Sequence, residues 1–262
     1  LRGIIGLFES LKIGFKTLQW SADIAESTQD TNQKPNPILE FLLTVLSILF
    51  VITLFFIGPL GLTRLLIDEN LNPLNFNIIA GSFRIFFFLI YLIAISRMQD
   101  VYILFQYHGA EHKTVYNFES GEKLKPEIAQ KFPTQHPRCG TSFVFIIMII
   151  GIFTFTIIDS IFLAYFQTMN LFINPLITRV FIHILFMPLV AGFGYEILKL
   201  TAKYKSNIIF KILATPGLWL QNITTNNPTE EQLEIAIAAL KAAFGDSIKQ
   251  YEGKTHIAEA IE

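Results

Sequence analysis

A chain of 262 residues with 52% hydrophobic and 16% charged side chains, and a mean hydropathy of +0.48, carries more apolar surface than one soluble core hides, so much of it is expected to face lipid. A net charge of -1 and a pI near 6.6 exclude the broad basic face that a nucleic-acid binder needs. The single cysteine, Cys139, excludes an intrachain disulfide framework and points to a reducing compartment.

The chain starts at Leu1 without the basic, apolar and small-residue order of a secretory leader, and a fragment or trimmed product is the expectation. In residues 1–25, Ile4, Leu7, Phe8, Leu11, Phe15 and Leu18 recur at three-and-four spacing, with Lys12 and Lys16 off the stripe. The spacing predicts an amphipathic helix lying on the membrane, with a core-facing helix as the other reading. Residues 26–37 are polar and end in Pro-Asn-Pro, a linker that closes a first section over 1–37.

Four stretches reach the roughly 20 apolar residues needed to cross hydrocarbon: 38–57, 76–95, 143–166 and 175–197. They fall into two pairs, 38–95 and 143–200, separated by a loop over 96–142 that carries Arg97, Lys113, Lys123, Lys125, Lys131 and Arg138. Lys and Arg also flank the first span (Arg2, Lys12, Lys16, Lys34) and the last (Lys199, Lys203, Lys205, Lys211), whereas the connections near Asp68 and Asn170 have few. The bias places both termini and the 96–142 loop in the cytoplasm. Within the spans, Arg84, Asp159 and His183 are ionisable groups about 10–12 Å below the outer surface, read as an Arg84–Asp159 ion pair or else a proton path.

In the tail, 201–262, Trp219 of Pro216-Gly-Leu-Trp-Leu suits headgroup level. Thr229-Glu-Glu-Gln232 is a capping-box pattern that opens a helix to about Phe244, with Leu233, Ile237 and Leu240 on a docking stripe. The fold class is therefore all-α: a polytopic membrane helical bundle of about four transmembrane helices, with amphipathic surface helices at the N- and C-terminal ends.

One cluster carries chemistry. His108 and His112 stand four apart and on a helix share a face, with Glu111 beside them. This is the spacing of the inverted zinc-hydrolase motif H-x-x-E-H, in which two imidazoles ligate the metal and the glutamate is the general base. Residues 97–107 are expected to extend the second span as a helix, and Gly109 to weaken it. A catalytic zinc site takes a third protein ligand, for which Glu196, Cys139, His136 and Glu119 are candidates. Glu196 is slightly favoured by its place at the cytoplasmic end of the fourth span; its other reading is an interfacial carboxylate beside Lys199. Arg138 is a candidate for holding a developing anion, with a membrane-surface anchor as its other reading.

Three stretches carry a resemblance: Phe105-Gln-Tyr-His108-Gly-Ala-Glu111-His112-Lys; Phe132-Pro-Thr-Gln-His136-Pro-Arg138-Cys139-Gly140-Thr-Ser; and Pro216-Gly-Leu-Trp219-Leu-Gln221 with Thr224-Thr225 and the run from Gln232 to Leu240. Together they resemble the YqhQ family of bacterial multi-pass membrane proteins of unknown function, catalogued as predicted metal-dependent enzymes. The resemblance covers essentially the whole chain. It implies an inner-membrane protein with a metal site at His108, Glu111 and His112, and with His136, Arg138 and Cys139 as further site residues. Relatives carry a Gly-rich segment ahead of the Leu1–Gly3 region.

The expected function is a membrane-bound metal-dependent hydrolase, with a divalent ion, most simply zinc, at the cytoplasmic membrane interface of a bacterial inner membrane. Its expected partners are the bilayer and a membrane-protein or lipid substrate, with no nucleic acid. Two other readings stay open. One is a non-catalytic scaffold or assembly factor with a structural metal; the other is a transporter using Arg84, Asp159 and His183.

Overall fold

The computed structural model describes residues 2–27, 36–67, 73–169, 175–204, 207–251 and 253–256. The connections near Asp68 and Asn170, and most of the 26–37 linker, lie outside these. The described chain is helical, with no strand among the described residues: α1 (Arg2–Ser27), α2 (Pro37–Ile52), a π-helical turn (Thr53–Ile57), α3 (Gly58–Leu66), α4 (Pro73–Ile95), α5 (Gln99–Ser120), α6 (Pro126–Ala129), α7 (Gly140–Met169), α8 (Pro175–Lys203), α9 (Ile208–Thr224) and α10 (Glu230–Phe244). It divides into two compact units, 1–88 with 147–196, and 89–146 with 197–262. Among the described residues, three helical stretches are long and apolar enough to cross a membrane: Pro37–Leu66, Leu74–Ile95 and Gly140–Ile161.

In the first unit, α2 begins behind Asn36, whose side chain accepts the Ile38 N–H, with Pro37 in the first turn where its missing N–H costs nothing. It buries none of its residues: Ile38, Phe41 and Phe50 are more than half exposed, a face that only an apolar environment satisfies. The helix passes through the π-turn into α3 instead of stopping at 57. The wider turn ahead of Pro59 is the local adjustment by which a helix accommodates a ring that cannot donate.

Leu60, Phe76 and Ala80 form a small core. Beside it, Gly81 lets α4 approach α7 so closely that a Cβ there would lie 2.4 Å from Ile152. Asp159 of α7 accepts from or pairs with His183 Nε2 of α8 at 3.0 Å, both 2% exposed, with the imidazole stacked on Phe155. The guanidinium of Arg84 lies 5.9 Å from the centroid of the Phe56 ring.

The second unit is built around α5. The expectation that 97–107 continues the second span holds for helicity and fails for continuity. Arg97 and Met98 close the end of α4 with three-residue hydrogen bonds, and Met98 turns extended (φ -74°, ψ 137°) before α5 starts at Gln99. The 96–142 loop is thus largely helix. Gly109 does not break α5, because its absent side chain has a packing purpose: a Cβ would sit 2.0 Å from the carbonyl oxygen of Asn226. The chain over 225–229 lies across α5 at that point, with the Asn226 N–H donating to the Phe105 carbonyl at 2.9 Å.

From there Thr229 and Gln232 form the expected capping box. Leu233 and Ile237 of α10 then close a core over Ala110 and Ala129, with Leu240 half-buried on the same stripe. The Pro216-Gly217 pair lies inside α9, where Gly217 meets the start of α7: a Cβ would be 2.6 Å from that of Ser142. α5 ends at Gly121 in the left-handed region (φ 74°). There Gly253 N–H and His256 N–H donate to the carbonyls of Gly121 and Glu119, sewing the tail onto its last turn.

Candidate metal centre

Three side chains converge in the second unit. His108 and His112 project from one face of α5, their rings edge to face at 4.4 Å between centroids, and Cys139 faces them from the turn before α7. The nearest ligand atoms of all three lie within 4.8 Å of one another, and His108 Nε2 is 3.1 Å from Cys139 Sγ. Among the described residues this is the group of His, Cys, Asp and Glu side chains arranged to hold a metal ion.

The geometry behind the group decides which nitrogens it offers. His108 Nδ1 donates to the Thr224 carbonyl at 2.8 Å, and His112 Nδ1 donates to the Thr134 carbonyl. An Nδ1 proton held by a carbonyl means that each imidazole, in its neutral form, is the tautomer that ligates through Nε2. Thr141 contributes from the other side, its N–H 3.4 Å and its hydroxyl 3.2 Å from Sγ. Two imidazoles and a thiolate make a borderline-soft set that suits zinc.

The electrostatics agree. Burial alone would raise the Cys139 thiol, yet hydrogen bonds from His108, His112 and Thr141 bring it down to about 5. Burial would likewise depress His108, but the thiolate beside it, the Thr224 carbonyl and the charge of Glu111 leave it raised. Without metal the two shifts run in the same sense, a lowered thiol beside a raised imidazole, and both favour the ion pair.

The other expected site residues take separate places. Glu111 is exposed on α5, next in the chain to His112 and near enough for its charge to act on His108. His136 is buried beside the group, its ring 5.5 Å from that of His112 and 4.7 Å from that of Tyr116. Its Nδ1 accepts the Arg138 N–H at 3.3 Å, and its Nε2 faces the Arg138 guanidinium at 3.5 Å, so it does not turn a lone pair toward the group. Arg138 forms an ion pair with Glu119 in a largely buried setting. Glu196 is exposed on α8 in the first unit.

Sequence reasoning missed the residues that hold the ligands in place. Gln221, fully buried, accepts the His136 N–H at 2.6 Å and donates to the His136 carbonyl and to Ser142 Oγ, each at 2.8 Å. Lys113, counted in the sequence among the basic residues of 96–142, is buried and donates to the carbonyls of Gln130 and Phe132 at 2.8 and 2.7 Å. Burial lowers its pKa. Together they fix the 130–139 segment that supplies both the Thr134 carbonyl and Cys139. The signal for Gln221 was an amide pair, Gln221-Asn222, at the end of an apolar helix.

Comparison with known proteins agrees with the resemblance. The family profile described as "Protein of unknown function (DUF1385)" matches residues 1–246. The chain is similar to "Uncharacterized protein YqhQ" of Bacillus subtilis (strain 168), with 32% identity over 250 residues, 90% of this chain and 74% of the relative. No solved structure matches.

Proposed function

The chain belongs to the DUF1385 family, and from that premise we propose that it is a membrane-bound metal-dependent hydrolase whose ion is held by His108, His112 and Cys139. The observation that carries this is the convergence of two Nε2 atoms, each freed by an Nδ1–carbonyl hydrogen bond, with a thiol already lowered to about 5. Three protein ligands are the complement of a catalytic zinc site, which keeps one position for substrate or solvent; structural sites close with four. Zinc bound there supplies Lewis acidity. Glu111, exposed and adjacent, is placed to accept and return a proton at its carboxylate. Arg138, neutralised by Glu119, keeps His136 and the cysteine turn in place instead of meeting an anion directly.

The bilayer assignment is supported by three helices of sufficient length and apolarity, and by α2, whose large side chains stay exposed in the isolated chain. The distribution of Lys and Arg favours a bacterial inner membrane location with both termini and residues 96–142 on the cytoplasmic side, and hence a site at that surface. The scaffold reading with a structural metal calls for a fourth protein ligand, and the described group has three.

The test is a Glu111→Gln variant assayed beside wild type on a bacterial membrane extract for new hydrolysis products. Metal content should be equal in the two proteins, and products should form with wild type alone. Equal product profiles, or metal lost from the variant, would remove Glu111 from the role given to it.

A further inference from the structure

A cavity in the same unit as the metal centre bears on what the centre acts upon. It measures about 480 Å³, within the range of about 300–1,000 Å³ typical of small-molecule sites. Its walls are Leu89 of α4, Phe145 of α7, and Pro216, Trp219, Leu220 and Ile223 of α9. Leu89 and Phe145 belong to helices long and apolar enough to cross a membrane, so a hollow between them borders hydrocarbon.

α9 continues that apolar surface. Ile208, Ile209 and Ile212 are each more than 60% exposed and Trp219 is 72% exposed. The close contact of Gly217 with Ser142 sets this helix against the first turn of α7, the level at which that span begins.

Both walls lead to the metal centre. Cys139 immediately precedes α7, and Phe145 follows it by six residues, about 9 Å at helical rise. α9 ends at Thr224, the residue whose carbonyl orients His108, and Ile223 precedes it directly. Asn222, the polar member of the lining, lies on this last turn and is exposed. The cavity therefore has an apolar body, and its polar lining residue, Asn222, stands two positions before Thr224 in the chain.

We propose that this cavity is an acyl-chain subsite, and that the substrate of the centre is a bilayer lipid whose head-proximal carbonyl or phosphoryl group is presented at His108, His112 and Cys139. The reacting end of this assignment rests on the hydrolase reading above; the subsite stands on the cavity alone.

The experiment uses the full chain in nanodiscs of phosphatidylethanolamine and phosphatidylglycerol, doped with a phospholipid carrying a diazirine midway along one acyl chain, irradiated and mapped by peptide mass spectrometry. Adducts should concentrate on the peptides bearing Leu89, Phe145 and 219–223. They should fall about tenfold in each of two filling variants, Leu89→Trp and Ile223→Trp, and persist in His112→Ala. Labelling on the outward face of α2, with monodisperse elution, shows that each variant is folded. Adducts spread evenly over the outward faces of the spans, or unaltered in both filling variants, would overturn the subsite and reduce the lipid to a solvent annulus. Absence of label at these positions, with another protein segment cross-linked there, would also overturn it. Metal missing from wild type with labelling intact would instead defeat the hydrolase reading and leave the subsite standing.

Discussion

His108 Nε2 stands 3.1 Å from Cys139 Sγ, while the opposite nitrogen of the same ring is committed to the Thr224 carbonyl. One residue thus joins the end of α9, the middle of α5 and the turn before α7. What happens to any of the three should be legible at the ligands.

Cys139 should behave as a thiolate. In metal-free protein its alkylation by iodoacetamide should rise with a midpoint near pH 5, well below the pH of about 8.5 for an ordinary thiol. Stoichiometric zinc should suppress the reaction. A midpoint above pH 8 would mean that the imidazoles do not hold the thiol as described.

Metal binding should release a proton from His108. Because its pKa is raised, the imidazolium must lose its proton before Nε2 can ligate, so affinity should weaken as pH falls through that pKa and level off above it. Calorimetric titrations with zinc at pH 6 in buffers of differing ionisation enthalpy should show net proton release on binding. No release would contradict the raised His108.

Gly109→Ala tests the crossing of the 225–229 segment over α5. Alanine favours an isolated helix by about 1 kcal/mol, but here its Cβ would meet the Asn226 carbonyl at 2.0 Å. A net loss of about 3 kcal/mol is expected from overpacking against backbone, together with weaker zinc binding as Thr224 shifts. A thermal denaturation midpoint at or above that of wild type would show that the crossing yields freely.

Gln221→Leu should leave the His136 N–H and carbonyl buried without their present partner, at a cost of about 2–4 kcal/mol, and loosen the turn that carries Cys139. Zinc affinity should fall while the pH midpoint of Cys139 alkylation moves up. Unchanged affinity would make the Gln221 clamp irrelevant to the centre.

These residues also show where the sequence could and could not be read. The capping box at Thr229 was legible because its signal is local, and the His108–His112 pair because four residues bring side chains to one helical face. Cys139 was one of several candidates, since only folding brings a residue 31 positions away to 3.1 Å. The break at Met98 lies in the polar run Ser96-Arg97-Met98-Gln99-Asp100, which is compatible with a continuing helix as well as with a turn, and the role of Gly109 was hidden by a propensity scale that counts only its cost to the helix. Lys113 counted in the sequence only toward the charge of its loop, since lysine is rarely buried; here two carbonyls receive it.

The central claim is tested most directly by X-ray absorption at the zinc edge on full-length protein purified without chelators, beside Cys139→Ser. The account predicts about one zinc per chain, with one sulfur near 2.3 Å and nitrogen scatterers of imidazole type near 2.0 Å, the sulfur disappearing in the variant. A wild-type shell without sulfur, or no stoichiometric metal at all, would contradict it.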